Sequence, residues 1–354
     1  MARVMMKGNE ALAEGAIRAG CRYFFGYPIT PQNEIPEYMA RRMPQVDGVF
    51  LQAESEVSAI NMVYGAGGAG GRVLTSSSGP GISLKQEGIS YIAGAQIPCV
   101  IVNVARGGPG LGGLNPSQSD YFQATKGGGH GDYHLLVFAP GTAQEMVDLI
   151  ELAFDKAEEY RNPVMILSDA IMGQMMEPVV LPEMRTVSAD KPWATTGKNG
   201  RSKPNVINSL GIVSEDLEKI NIELQDKYKR MAAAEVRYEV DGVDDADLVV
   251  VAYGTSSRVV SSAITQLRQA GKKVGLFRPI TLWPFPGQAL ADLAAVGKRF
   301  LVVEMSAGQM VEDVILSVND RLKVEFFGKL NGTVPTVREV YDRITAVLSK
   351  GGEE

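Results

Sequence analysis

The chain has 354 residues, 45% of them hydrophobic and 21% charged, and a formal net charge of −6. At ~100–200 residues per domain, that length predicts two or three soluble globular domains. The acidic balance, with no basic run, argues against a nucleic-acid partner, and no stretch approaches the ~18 apolar residues of a membrane span.

Two cysteines, Cys21 and Cys99, stand far apart, so no CxxC exists to carry a four-cysteine iron–sulfur cluster or zinc site. Low cysteine usage and an N-terminus without an apolar signal core predict a cytoplasmic location. Residues 1–170 alternate short apolar runs with helix-like stretches, predicting strands at Tyr23–Phe25, Val49–Leu51, Val73–Ser76, Cys99–Val104, Leu135–Phe138 and Val164–Ser168. Strands alternating with helices imply a mostly parallel sheet covered on both faces.

Behind the first of these strands lies a stiff corner, Tyr27-Pro28-Ile29-Thr30-Pro31, where a plain turn would carry Gly, Asn or Asp. Each proline fixes its own φ and pushes its predecessor toward extended geometry. Thr30 either caps the following helix, with Pro31 at the first helical position, or turns its hydroxyl to a ligand. Glu54 and Glu56 fall where the next strand passes into a helix. Acidic residues suit a helix start, but the small and apolar residues after Glu56 let that helix pack closely, and a buried carboxyl holds its proton more tightly. GAGGAG, at Gly65–Gly70, follows an apparent helix and precedes a strand. A dinucleotide site needs the reverse order, so this string reads as a helix terminus.

TSSSGPGISLKQEG follows the third strand and offers hydroxyls and free backbone NH groups to an anion or a polar ring, without the lysine spacing of a P-loop. Arg106 ends the fourth strand beside a glycine-rich loop, a favourable place for a carboxylate clamp. His130 and His134 flank another glycine run with no Cys or carboxylate cluster around them, so no metal site is assigned. Thr142 and Glu145 read as a capping box that opens a helix to Arg161. Its core-facing stripe is Ala143, Met146, Val147, Ile150, Ala153, Phe154 and Ala157. From about Met172 to Asp245 the pattern breaks into a polar surface segment and one charged, solvated connector helix. A second α/β block begins at Ala246, with strands in DLVVVAYG, KVGLFRPITLWPFP and RFLVVEMSAGQM and helices in SSRVVSSAITQLRQAG and EDVILSVNDRL.

MKGNEALAEGAIRAGCRYFFGYPITP, ESEVSAINMVYGA, TSSSGPGISLKQEGISY, VARGGPG, SQSDYFQATKGGGHGD and PVMILSDA, in that order, resemble the α-type subunit of 2-oxoacid:ferredoxin oxidoreductases. DADLVVVAYGTSS and GLFRPITLWPFP resemble that family's transketolase C-terminal-type domain. The resemblance runs over nearly the whole chain. It implies an α/β fold in three parts: a doubly wound parallel sheet binding the pyrimidine half of thiamin diphosphate over residues 1–180, a linker with an exposed helix over 181–244, and a transketolase C-terminal-type α/β domain over 245–354. A β-type subunit would supply the diphosphate and Mg2+ half, since this chain has no GDG-type magnesium motif. Iron–sulfur clusters would sit on partner chains, with a γ-type subunit and a ferredoxin-like cluster subunit completing the enzyme. The implied substrates are a 2-oxoacid and coenzyme A, with electrons passing to ferredoxin.

Carried over position by position, Glu56 matches the glutamate that contacts the pyrimidine ring nitrogen and is the implied catalytic residue. Glu54 is set aside because the match starts the helix after Glu56. Tyr27, Pro28, Ile29, Ser78 and Gly79 are the other implied cofactor contacts. Thr30 would donate a hydrogen bond to the 2-oxoacid and Arg106 would pair with its carboxylate. In 2-oxoglutarate members the loop after the arginine is expected to read Gly-Gly-Pro-Ser-Thr-Gly. Here it reads GGPGLGGL, and the bulk of Leu111 and Leu114 favours a branched-chain acid such as 2-oxoisovalerate, with 2-oxoglutarate as the alternative. The misplaced glycine string counts against a nicotinamide dehydrogenase. The joint presence of Glu56, Thr30 and Arg106 counts against a non-catalytic assembly subunit on the same scaffold.

Overall fold

The computed structural model describes residues 3–187, 190–330 and 332–350, so the outer ends of the first and last expected units, residues 1–2 and 351–354, lie outside it. The chain opens with β1 (Arg3–Lys7), α1 (Gly8–Arg18), β2 (Tyr23–Gly26), α2 (Glu34–Arg42), β3 (Val49–Gln52), α3 (Glu56–Gly68), β4 (Val73–Ser77) and α4 (Pro80–Gly94). There follow β5 (Cys99–Ala105), α5 (Tyr121–Thr125), β6 (Leu136–Phe138), α6 (Ala143–Tyr160), β7 (Pro163–Asp169), α7 (Ala170–Gln174) and β8 (Met176–Val180). After a long irregular segment come α8 (Ser214–Ala234), β9 (Tyr238–Asp241), β10 (Leu248–Val251), α9 (Gly254–Gln269), β11 (Val274–Pro279) and β12 (Thr281–Trp283). The last elements are α10 (Gly287–Ala295), β13 (Arg299–Glu304), α11 (Met310–Val318), β14 (Val324–Gly328) and α12 (Val337–Lys350).

The predicted α/β class holds. A seven-stranded sheet runs β12-β6-β7-β5-β4-β2-β3, and a five-stranded sheet runs β14-β13-β10-β11-β9. Both are parallel except at one edge, where β12 opposes β6 and β9 opposes β11. Central strands β4, β5 and β7 are buried along their whole length, which is why they read as continuous apolar runs rather than alternating ones. Helix α6 buries all seven stripe residues predicted for it. Its cap differs from a simple capping box. Glu145 N–H donates to Thr142 Oγ1 at 3.1 Å, but the Glu145 carboxylate reaches back to Gly141 N–H at 2.6 Å and pairs with Arg278. GAGGAG ends α3, as its position predicts. Cys21 and Cys99 are buried free thiols.

Two parts of the irregular region are more ordered than the pattern suggests. β8 lies inside it and pairs antiparallel with β1. α8 is not simply a solvated connector, because its later turns bury Leu224, Lys227, Tyr228 and Met231. His134 is a packing residue, stacked on Trp283 at 4.4 Å with Tyr228 against its edge.

Several hydrogen bonds join the two sheets at their strand ends, and one amide makes three of them. Gln118, 3% exposed, donates to the Tyr253 carbonyl at 2.9 Å and accepts from Ser256 Oγ at 2.7 Å and Met305 N–H at 2.9 Å. Gln118→Ala strands the Ser256 hydroxyl and the Met305 N–H, each costing about 1–3 kcal/mol when unpaired, while the Tyr253 carbonyl keeps the bond it accepts from Ser257 N–H. The variant is expected to lose at least about 2 kcal/mol of stability, read as a lower denaturation midpoint for the purified chain. An unchanged midpoint would show that water replaces the amide.

Candidate active site

β5, β4, β2 and β3 are neighbours in that order. The chain leaves β2 for β3 on one side and returns to β4 on the other, and such a switch opens a crevice at the carboxyl ends of parallel strands. Arg106 follows β5, Ser78 and Gly79 follow β4, Tyr27–Thr30 follow β2, and Glu56 follows β3. The topology therefore gathers residues spread over 80 positions of sequence onto one edge.

The corner after β2 is held through its backbone. Arg106 Nη1 donates to the Thr30 carbonyl at 2.9 Å, Asn9 Nδ2 to the Pro31 carbonyl at 3.0 Å, and Gln32 Nε2 to the Tyr27 carbonyl at 3.1 Å. Thr30 does not cap α2. That helix starts at Glu34 behind Asn33, and Thr30 is exposed. Among the described residues its hydroxyl makes no hydrogen bond, which leaves it available to a ligand. Pro28 is exposed too, with Tyr27 and Ile29 half-buried.

Glu56 is the first residue of α3 rather than preceding it, and Ser55 caps the helix by accepting from Ser58 N–H at 3.2 Å. Glu56 is 6% exposed, whereas Glu54 is exposed. Among the described residues no side-chain hydrogen bond occupies the Glu56 carboxylate. It lies against the first turn of α4, where a Cβ on Gly81 would come within 2.5 Å of Glu56 Oε1 and 2.2 Å of Ser77 Oγ. Only a glycine admits that approach. Ser77 Oγ and Ser78 Oγ are buried without a hydrogen-bond partner among the described residues. Buried hydroxyls are normally paired, so these two and the open carboxylate form a cradle fitted to a planar ring carrying donors and acceptors. That donor set fits the pyrimidine of thiamin.

Beside this cradle is a cavity of about 720 Å³, lined by Gly79, Arg106, Ser117 and Asp120 among others, with Ser306 and Gln309 among those contributed by the second block. Glu56, Tyr27 and Thr30 are not part of its lining. Arg106 is 6% exposed. It spends Nη1 on Thr30 and Nη2 on the Leu111 carbonyl at 2.9 Å, and its Nε–H is buried without a partner among the described residues. Gly79, at φ 43°, packs on the Arg106 side chain. Leu111 and Leu114 do not line the cavity as their bulk predicts. They are 82% and 59% exposed, because the glycines around them carry the loop outward and Arg106 holds it by the Leu111 carbonyl instead.

Sequence reading missed several neighbours. Asp120 lines the cavity and accepts from Asn103 Nδ2 at 2.9 Å. Burial raises its carboxyl above the usual range, against the Asn103 hydrogen bond and the Arg106 charge. Asn9, Gln32 and Lys85 are fully buried beneath the corner. No signal in the sequence marked them, since Lys85 stands beside Gln86 and Glu87 as a solvated helix lysine would. Among the described residues, no group of three or more His, Cys, Asp or Glu is placed to hold a metal ion, and no helix is long and apolar enough to cross a membrane.

The family described as pyruvate flavodoxin/ferredoxin oxidoreductase, thiamine diP-binding, matches residues 14–240, and pyruvate:ferredoxin oxidoreductase core domain II matches residues 246–340. Ketoisovalerate oxidoreductase subunit VorB of Methanothermobacter thermautotrophicus is 51% identical over the full length of both chains. 2-oxoglutarate synthase subunit KorA of Methanocaldococcus jannaschii is 37% identical over 95% of this chain and 97% of its own. Among solved structures, 2-oxoglutarate:ferredoxin oxidoreductase from Magnetococcus marinus, with 2-oxoglutarate, coenzyme A and succinyl-CoA bound, superimposes with a TM-score of 0.84 at 26% identity, covering 98% of this chain and 65% of that one. With a thiamine-diphosphate-binding domain over its first sheet and core domain II over its second, this chain belongs to the 2-oxoacid:ferredoxin oxidoreductases, as their α subunit.

Proposed function

We propose that this chain supplies the pyrimidine half of a shared thiamin diphosphate site in an enzyme that oxidatively decarboxylates 2-oxoisovalerate to an acyl-CoA and CO2, with electrons passing to ferredoxin. The observation that carries the reading is the gathering of Glu56, the unpaired Ser77 and Ser78 hydroxyls, the Thr30 corner and Arg106 on one strand edge. Thiamin diphosphate supplies the electron sink that decarboxylation of a 2-oxoacid requires. The chain's own residues bind, orient and move a proton. Glu56 shares a proton with the pyrimidine ring nitrogen. Ser78 and Gly79 seat the ring, and Tyr27, Pro28 and Ile29 wall it. Thr30 donates to the substrate oxygen, and Arg106 faces its carboxylate from the cavity. The diphosphate and Mg2+ belong to a β-type partner, and the iron–sulfur clusters to partner chains, among them a γ-type and a ferredoxin-like subunit.

Sequence identity favours the branched-chain acid. The ketoisovalerate relative stands at 51% and the 2-oxoglutarate relative at 37%. The exposed leucines of the loop add nothing to this choice within the isolated chain.

Calorimetry tests the divided site. The lone chain is expected to bind thiamin diphosphate weakly, and addition of the β-type subunit to create tight, magnesium-dependent binding. Equally tight binding by the lone chain would refute the split site. A panel of 2-oxoacids assayed by coenzyme A-dependent viologen reduction on the native complex decides the substrate, and a preference for 2-oxoglutarate would overturn the branched-chain assignment alone.

A further inference from the structure

Beneath the proposed site lies a buried polar network that none of the roles above uses. Lys85, on α4, is fully buried, which is rare for a lysine. Its Nζ donates to Thr75 Oγ1 at 2.6 Å and to the Ser76 carbonyl at 3.1 Å. Thr75 Oγ1 in turn donates to the Phe25 carbonyl at 2.6 Å, in β2 just before the corner. Ser76 Oγ donates to Gln32 Oε1, and the Gln32 amide donates to the Tyr27 carbonyl at 3.1 Å, inside the corner. Gln32, Thr75 and Ser76 are as buried as Lys85. Two titratable groups act on the amine: Glu56 on α3 and Cys99 on β5. Burial pushes the Cys99 thiol up to about 12, so it is neutral at ordinary pH. β4 presents only the neutral Thr75 hydroxyl and Ser76 carbonyl. Glu56 is therefore the charge that Lys85 feels.

We propose that Lys85 is a positioning residue of the thiamin half-site: through Thr75, Ser76 and Gln32 its ammonium fixes the corner that carries Thr30. The proposal rests on the reading of Thr30 as a substrate contact and deepens it. Burial pulls Lys85 down to about 7, while Glu56 pulls it back up. The network also explains why a lysine is tolerated under a site that would otherwise be apolar: its donors meet fixed acceptors, so the group is not left unsatisfied.

The test uses the assembled complex and separates KM from kcat for the 2-oxoacid. Lys85→Met keeps the length of the side chain and removes its charge and its donors. KM for the 2-oxoacid is expected to rise by about tenfold as the corner loosens, with a smaller change in kcat. An unchanged KM overturns the proposal, and a lower melting temperature does not rescue it, since a purely structural lysine would change stability alone. If Lys85→Met fails to assemble, Thr75→Val decides: it keeps the shape of the strand, removes the hydroxyl that links Lys85 to the Phe25 carbonyl and is expected to raise KM by a smaller amount, and no rise overturns the proposal. Thr30→Ala separates this proposal from the reading beneath it. It is expected to raise KM, and Lys85→Met should then add little. A wild-type KM in Thr30→Ala would sink the reading of Thr30 as a substrate contact, whereas a raised KM in Thr30→Ala with an unchanged KM in Lys85→Met sinks the lysine proposal alone.

Discussion

Glu56→Gln in the assembled complex is expected to lower turnover by about 10²–10⁴-fold, the range of a proton-transfer role, while the chain folds and associates normally. The amide copies the shape of the carboxyl but cannot share a proton in the same way. The fold should survive because Glu56 opens α3 without capping it, that task falling to Ser55, and because no side-chain partner within the described chain depends on its charge for a hydrogen bond. Gly81 packs so closely that a Cβ there would fall 2.5 Å from Glu56 Oε1, which keeps the carboxyl where it is, so the substitution changes chemistry more than position. The KM for the 2-oxoacid should move little, because Thr30 and Arg106 are untouched. Near-native turnover from a cleanly assembled variant would remove Glu56 from the mechanism, and with it the reason to regard this chain as half of the catalytic centre.

The strands of the first sheet were readable because burial on both faces writes itself as an unbroken apolar run, as in Cys99–Ala105 and Pro163–Asp169. β1 and β8 were not, because the pair they form is largely exposed and lacks such a run. β12 could not be placed from its sequence neighbourhood either. It lies two residues beyond β11, yet it leaves the second sheet to pair with Phe138 and Val137 of the first. In α8, the buried spacing Leu224, Lys227, Tyr228, Met231 was masked by a cation at one of the core positions. The site divides in the same way. Glu56, Arg106 and the proline corner carry chemistry in their own side chains and local context. Gln32, Asn9 and Lys85 acquire their roles only from contacts made across the fold: Asn9 reaches Pro31 and Ser76 reaches Gln32. Leu111 shows the converse. Its side chain suggested a pocket wall, but its carbonyl is the atom Arg106 uses.

Arg106→Lys is expected to lower kcat/KM for the 2-oxoacid by about 10–100-fold, the equivalent of a charge-assisted hydrogen bond worth about 1.5–3 kcal/mol, with coenzyme A kinetics little changed. The guanidinium carries five N–H donors in a rigid fork. Here one from Nη1 holds the Thr30 carbonyl and one from Nη2 holds the Leu111 carbonyl, while Nε–H is buried and unspent. Arg106 therefore does two tasks: it ties the corner to the glycine loop, and it retains donors for a carboxylate entering the cavity. A lysine ammonium is a single point and cannot span both carbonyls while facing a third acceptor. The loss should thus exceed what conservation of charge suggests and should include a higher KM, since the Thr30 corner loses its anchor along with the clamp. One further measurement separates the tasks. Adding guanidinium to Arg106→Ala should restore part of the activity if the clamp is what was lost, because a free ion can refill the cavity. It should restore nothing if the tie to Thr30 is what matters, because that tie needs a side chain fixed to β5. Full activity in Arg106→Lys would show that charge alone suffices, and that the fork seen between Thr30 and Leu111 has no part in binding the substrate.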